Sequence, residues 1–107
     1  MITMKQTAPE EFSLLEDGVP AGICRFTSEG DDLVIFGILE KKMIKGLDLY
    51  DALLRAVTSF TAPLGFSRVV CKNPLMFARL AALRFMREGE TMVSTPEEVL
   101  RDLCKHA

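Results

Sequence analysis

The chain has no tryptophan, a single tyrosine (Tyr50) and a single histidine (His106) in 107 residues. No aromatic platform accompanies its lysines, so the stacking surface used to bind single-stranded nucleic acid is missing. A net charge of −2 argues the same way, and no nucleic-acid partner is expected. Cysteine is scarce, odd in number and widely spaced: Cys24, Cys71 and Cys104. They form no Cys-x-x-Cys pair and no Cys/His ligand set, which excludes a disulfide framework and a zinc site and predicts reduced thiols, no metal and a cytoplasmic location. No apolar run approaches the ~18 residues of a membrane span, and Met1-Ile2-Thr3-Met4-Lys5 lacks a signal-type apolar segment, so no membrane association is expected.

What is present suits one packed domain over residues 1–107. Hydrophobic residues make up 49% and charged residues 26%, with no biased segment. A chain of this size buries roughly 65% of its unfolded surface, enough for a core without metals or disulfides. Residues up to about Pro9 read as a lead-in, and Thr7-Ala8-Pro9-Glu10 as a cap for a helical turn. Phe12–Glu16 and Val19–Phe26 flank Asp17-Gly18, a type I′ hairpin signal, with Pro20 at an edge position or a bulge. Ser28-Glu29-Gly30-Asp31 turns the chain into an apolar strand over Leu33–Leu39. The first half is thus predicted to be an antiparallel three-stranded meander.

The period then changes. Tyr50, Leu53, Leu54 and Val57 repeat at i, i+3, i+4, i+7, predicting a helix with Asp48 as its N-cap and Pro63 with Gly65 at its close. Arg68–Cys71 is a short buried strand. Asn73-Pro74 opens a second helix reaching to about Met86, apolar nearly all round apart from Arg79, Arg84 and Arg87. Such a helix is either sandwiched in the domain or shared with a second copy, so a homodimer is carried as an expectation. Gly89 breaks it, and Glu90–Val93 suits a last short strand. Thr95-Pro96-Glu97-Glu98 is a helix start, followed by Leu100, Leu103 and Cys104 on one side. The order β-β-β-α-β-α-(β)-α gives an α/β chain in the broad sense (α+β), a mixed, mostly antiparallel sheet covered by helices.

One junction carries a chemical suggestion. The strand Leu33–Leu39 leads into Lys41-Lys42-Met43-Ile44-Lys45-Gly46 and then into a helix, an order that presents backbone N–H groups to an anion. Gly46 suits a close backbone approach to phosphate, or simply a left-handed turn. Lys41, Lys42 and Lys45 suit phosphate neutralisation, or a solvated basic turn. Asp48 as N-cap would take the N–H groups that a phosphate needs.

This order, together with Glu16-Asp17-Gly18-Val19-Pro20-Ala21-Gly22, Asn73 and Arg84-Phe85, resembles the GNAT (acyl-CoA N-acyltransferase) superfamily over residues 12–86. The register Met43-Ile44-Lys45-Gly46-Leu47-Asp48 is similar to a degenerate form of the family's coenzyme A loop and keeps its glycine at Gly46. The resemblance implies a shortened N-acyltransferase fold, with acetyl-CoA or another acyl-CoA as cosubstrate. It implies that Phe36, Gly37 and Ile38 hold the pantetheine arm, that Lys45 and Gly46 face the pyrophosphate, and that Asn73 stands near the ligand or caps the helix after it. Glu40 is the candidate general base. Cys71 is either an acyl-accepting thiol or a small buried hydrophobe. The functional expectation is an acyl-CoA-dependent N-acetyltransferase with weakened or lost activity; the alternative is a noncatalytic interaction or dimerisation module that retains the fold.

Overall fold

The structure, a computed structural model, describes residues 1–101. Leu103, Cys104 and His106 lie outside the described residues. Seven strands form one sheet: β1 (Ile2–Ala8), β2 (Glu11–Glu16), β3 (Val19–Glu29), β4 (Asp32–Glu40), β5 (Arg68–Cys71), β6 (Met86–Glu88) and β7 (Thr91–Ser94). Their spatial order is β1-β2-β3-β4-β5-β7-β6. All neighbours are antiparallel except β4 and β5, which run parallel over Asp32–Ile35 and Arg68–Cys71. The crossover between those two is α1 (Leu49–Thr61), while α2 (Phe77–Ala82) follows β5 and α3 (Pro96–Leu100) follows β7. The mixed, mostly antiparallel sheet read from the sequence is present.

Local chemistry explains the meander. Asp17 and Gly18 both take positive φ (52° and 84°), as a type I′ turn requires, and Glu16 pairs with Val19 across it. Two residues on, Pro20 faces Leu15 and Gly22 faces Leu14, so Ala21 is the extra residue of a bulge and the proline fits without breaking the ladder. Gly30, at φ 60°, turns β3 into β4.

Alternation sends Phe12, Leu14, Cys24, Phe26, Leu33, Ile35, Val69, Cys71 and Met92 to one face of the sheet. Leu49, Leu53, Leu54 and Val57 of α1 cover that face, joined by Met76, Leu80, Phe85 and Val99 from the later elements. All three helices therefore share one core on one side. The approach of α1 is close at Gly22, where a Cβ would lie 3.0 Å from Leu53 Cδ1 and 3.5 Å from Leu49 Cδ2. Buried hydroxyls on α1 are satisfied within the helix: Thr58 donates to the Leu54 carbonyl (2.7 Å) and Thr61 to that of Val57 (2.9 Å).

Three elements differ from the sequence reading. The lead-in is strand β1, and Pro9-Glu10 is the turn joining it to β2 rather than the start of a helical turn. Six of the seven β1 residues are exposed, so the strand carries no buried face that periodicity would reveal. The second helix stops at Ala82. Its end is a Schellman closure, with Phe85 N–H donating to Leu80 O (2.9 Å) and Arg84 N–H to Ala81 O (3.1 Å). Arg84 takes the left-handed position (φ 72°) that glycine normally fills, and Phe85 is buried. The chain then reverses at Gly89, so Met86–Glu88 pairs with β7 as a hairpin.

No helix among the described residues covers the other sheet face, and β1 passes to β2 with no room for one. Long charged side chains lie across it instead. Lys72 Nζ meets Glu29 Oε1 (3.0 Å) over β4, Arg25 faces Glu11 (3.6 Å), and Arg68 grips Asp32 through two bonds of 3.0 and 2.8 Å. The aliphatic stems of such residues shield apolar neighbours. Val34 and Val70 on this face are buried.

Leu53→Ala should cost about 2–5 kcal/mol in urea denaturation, and Gly22→Ala about 1–3 kcal/mol because Leu53 must move. The double variant should cost less than the sum, since the added methyl then finds space. Arg84→Gly should relieve the left-handed residue by roughly 0.5–1 kcal/mol while giving up the ion pair with Glu98 (3.6 Å), whereas Arg84→Val should lower stability. The hydrogen bonds from Arg68 hold the Asp32 carboxyl below its ordinary value of 3.8. A depressed carboxyl stabilises the fold above its unfolded-state pKa and loses that contribution as pH falls through the folded-state value. The stability gap between wild type and Asp32→Asn should therefore be constant near neutrality and shrink once the pH drops below 3.8.

Candidate functional site

After Ile35 and Cys71 the two parallel strands part. β4 continues to Glu40 alongside β3, whereas the chain leaving β5 turns at Lys72-Asn73 into a 3-10 turn over Pro74–Met76. Proline at that point cannot donate to a ladder, so the turn away from the sheet is built into the sequence. The parting coincides with a bulge in β4. Ile35 faces Phe26 and Gly37 faces Arg25, which leaves Phe36 as the extra residue, half exposed.

Asn73 spans the gap. Its side-chain oxygen accepts from Leu75 N–H (3.1 Å), capping the turn, and its nitrogen donates to the Phe36 carbonyl (3.1 Å) on the opposite wall. A cavity of about 450 Å³ opens here, and Phe36, Gly37, Ile38 and Asn73 all line it. Ile23, Arg25, Leu39, Tyr50, Leu75 and Met76 complete its walls. Four residues singled out from the sequence are thus brought to one slot.

A second cavity, of about 510 Å³, lies at the strand-to-helix loop and is lined by Glu40, Lys45, Gly46, Asp48 and Arg79 among others. Gly46 has φ 79° with open space where a Cβ would stand, so its left-handed backbone, not crowding, is what demands glycine. Asp48 caps α1 by accepting from Asp51 N–H (3.3 Å), as predicted, and its Oδ1 also receives Arg79 Nη2 at 2.9 Å. Arg79 Nη1 lies 3.6 Å from Glu40 Oε1, and the guanidinium sits 4.2 Å from the centroid of the Tyr50 ring. Lys42 is engaged elsewhere, by Glu16.

Glu40, Asp48 and Arg79 each retain roughly half their side-chain exposure. Ion pairs so placed contribute typically 0.2–1 kcal/mol, roughly, and the cation–π contact about 0.5–1 kcal/mol. The cluster is therefore held loosely enough for a stronger anion to rearrange it.

Cys71 lies behind the slot with no exposed surface, its Sγ 3.7 Å from Met76 Sδ and 3.8 Å from the Asn73 carbonyl. Burial raises its pKa, and only the contact with Asn73 pulls the other way. The neighbouring Cys24 thiol is pushed up to about 12, chiefly by burial and then by Cys71. Both thiols are protonated at neutral pH, which works against nucleophilic chemistry. Among the described residues, no three His, Cys, Asp or Glu side chains are grouped to hold a metal ion, and no helix is long and apolar enough to cross a membrane.

Sequence reasoning missed Arg79 and Tyr50 as site residues. Tyr50 entered only as part of a helical repeat, and Arg79 as one cation on an apolar helix. The order strand–loop–helix already placed Tyr50 in the first turn after the glycine loop, which was the available signal. Arg79 had none, because its partner Asp48 lies 31 residues away.

No family model matches the sequence, and no curated protein does. Solved structures do match. The PaiA N-acetyltransferase from Thermoplasma acidophilum, in complex with coenzyme A, aligns with a TM-score of 0.65 at 12% identity, over 79% of this chain and 59% of that one. The ribosomal-protein-S18-alanine N-acetyltransferase from Escherichia coli aligns at 0.59 and 15% identity, over 81% and 68%. An N-acetyltransferase from Staphylococcus aureus Mu50 aligns at 0.61 and 13%, over 80% and 67%. The chain spans 59% of the length of the first of these. At such identities the likeness is one of backbone, and it is consistent: this chain has the GNAT acetyltransferase-like fold.

Proposed function

We propose that the protein binds an acyl-CoA thioester in the slot between β4 and β5 and transfers its acyl group to an amine. The observation that carries this reading is the parting of those strands beside the β4 bulge, which opens a cavity lined by Phe36, Gly37, Ile38 and Asn73. The slot suits an extended, mixed polar and apolar arm: backbone groups of β4 beyond Ile35 have no strand neighbour on that side, and Gly37 leaves one stretch of wall without a side chain. At the loop end the fit is conditional. Lys45 and the Gly46 backbone favour a diphosphate, while Asp48 and Glu40 oppose one until Arg79 turns to it.

An acyl-CoA supplies an activated carbonyl, which an amine attacks to form the amide as the thiol leaves. The chain's own part is to orient the arm along Phe36–Ile38 and to accept the amine proton. Glu40, at the end of β4 and open to solvent, is the group assigned to that proton, directly or through a water. Cys71 packs behind the slot, its thiol held protonated by burial.

A second reading has an observation of its own. Phe36 and Leu39, both lining the slot, are about half exposed, and no helix among the described residues covers the far face of the sheet. A noncatalytic interaction module that keeps the fold would use such a surface.

Melting temperature followed against acetyl-CoA separates the two. At 100 times its Kd the ligand should add about 2.7 kcal/mol, a rise on the order of 10 °C for a domain this size. Glu40→Gln should lower transfer to amines about 100-fold with the melting shift retained. Absence of both a shift and thiol release at millimolar acetyl-CoA would sink the acyltransferase reading.

A further inference from the structure

Arg79 links the walls of the two cavities. Its guanidinium lies over Tyr50, which lines the slot, and the same side chain lines the loop cavity beside Lys45 and Gly46. The charged residues of that loop cavity are Glu40, Asp48, Lys45 and Arg79, two of each sign. The end that would receive a diphosphate is thus neutral as it stands. Of its two cations, the one with a planar fork of donors, the geometry that matches phosphate, is the one the carboxylates occupy. The Asp48 contact, 2.9 Å, is a hydrogen-bonded ion pair; the Glu40 contact, 3.6 Å, is too long for a hydrogen bond. Neither is shielded from solvent.

We propose that Arg79 is the phosphate-recognising side chain of this site, parked on Asp48 and Glu40 until the diphosphate of a coenzyme A thioester takes their place. The inference rests on the acyl-CoA reading above and adds a coupling to it. A diphosphate offers the same fork with more charge, so it competes for the same donors. Stacking on Tyr50 keeps the guanidinium at the junction while its partners change. When Arg79 turns to the ligand, Glu40 loses its cation, so the event that recognises the ligand also frees the carboxylate assigned to the amine proton. Asp48 keeps its role as N-cap throughout, because that bond runs to a backbone N–H and not to the arginine.

Isothermal titration of the full chain with coenzyme A and with S-acetylpantetheine, a thioester arm without phosphates, tests this. Arg79→Gln should weaken coenzyme A roughly tenfold or more and leave S-acetylpantetheine unchanged, with Arg79→Lys in between. Asp48→Asn keeps an N-cap side chain and removes the competing charge, and should tighten coenzyme A about tenfold at low salt. Arg79→Gln binding coenzyme A like wild type would overturn the proposal. So would equal weakening of both ligands, which would mean that Arg79 only fastens α2 to α1. Where Arg79→Gln fails to fold, Arg79→Lys decides by the same comparison. Binding of S-acetylpantetheine together with Arg79-independent binding of coenzyme A overturns this inference alone. Binding of neither ligand to wild type takes down the acyl-CoA reading and this inference with it.

Discussion

Backbone donors and acceptors on β4 beyond Ile35 have no strand beside them on the β5 side, and that shortage organises the site. A sheet edge inside a domain must be paired, covered or left to water and ligands. Here Asn73 pairs one group, the Phe36 carbonyl, and the remainder faces a cavity. The bulge at Phe36 falls at the same place, so the strand bends where it loses its neighbour. Asn73 joins the capping of a turn to the spacing of two walls through a single amide.

The loop end shows a tension between stability and binding. Asp48 is a good N-cap, and a helix gains from a carboxylate there. The same carboxylate holds the arginine best suited to phosphate. With the acid at the cap, the helix start is satisfied without a ligand. At the same loop Gly46 makes a left-handed turn (φ 79°), and the carboxylate two residues on is paired with Arg79.

Much of this was legible in the residues, and the failures have identifiable causes. The hairpin at Asp17-Gly18, the cap at Asp48 and the strand Arg68–Cys71 each follow from local chemistry, and each is present. Strand β1 was not legible because its residues are held by backbone pairing to β2 and bury almost nothing. The early end of α2 was hidden because an arginine, not a glycine, takes the left-handed position at Arg84; side-chain burial of Leu80 and Phe85 overrides the usual preference. For the site, Phe36–Ile38 and Asn73 follow from resemblance and lie along one slot. Arg79 depends on α2 docking beside the start of α1, a tertiary fact with no local trace. The reading of Cys71 as a small buried hydrophobe follows from its place in an apolar strand, and its inward orientation agrees.

Strands β1 to β4 are all neighbours in sequence, joined by turns of two residues, and so need little chain search to zip together. The wall supplied by β5 is different: Asp32 and Arg68 meet across 36 residues, with a whole helix between. Closing that contact carries the larger entropic cost and comes after the local hairpins. The wall of the slot thus rests on pairings distant in sequence, to β4 and to β7, whereas the meander rests on turns of two residues.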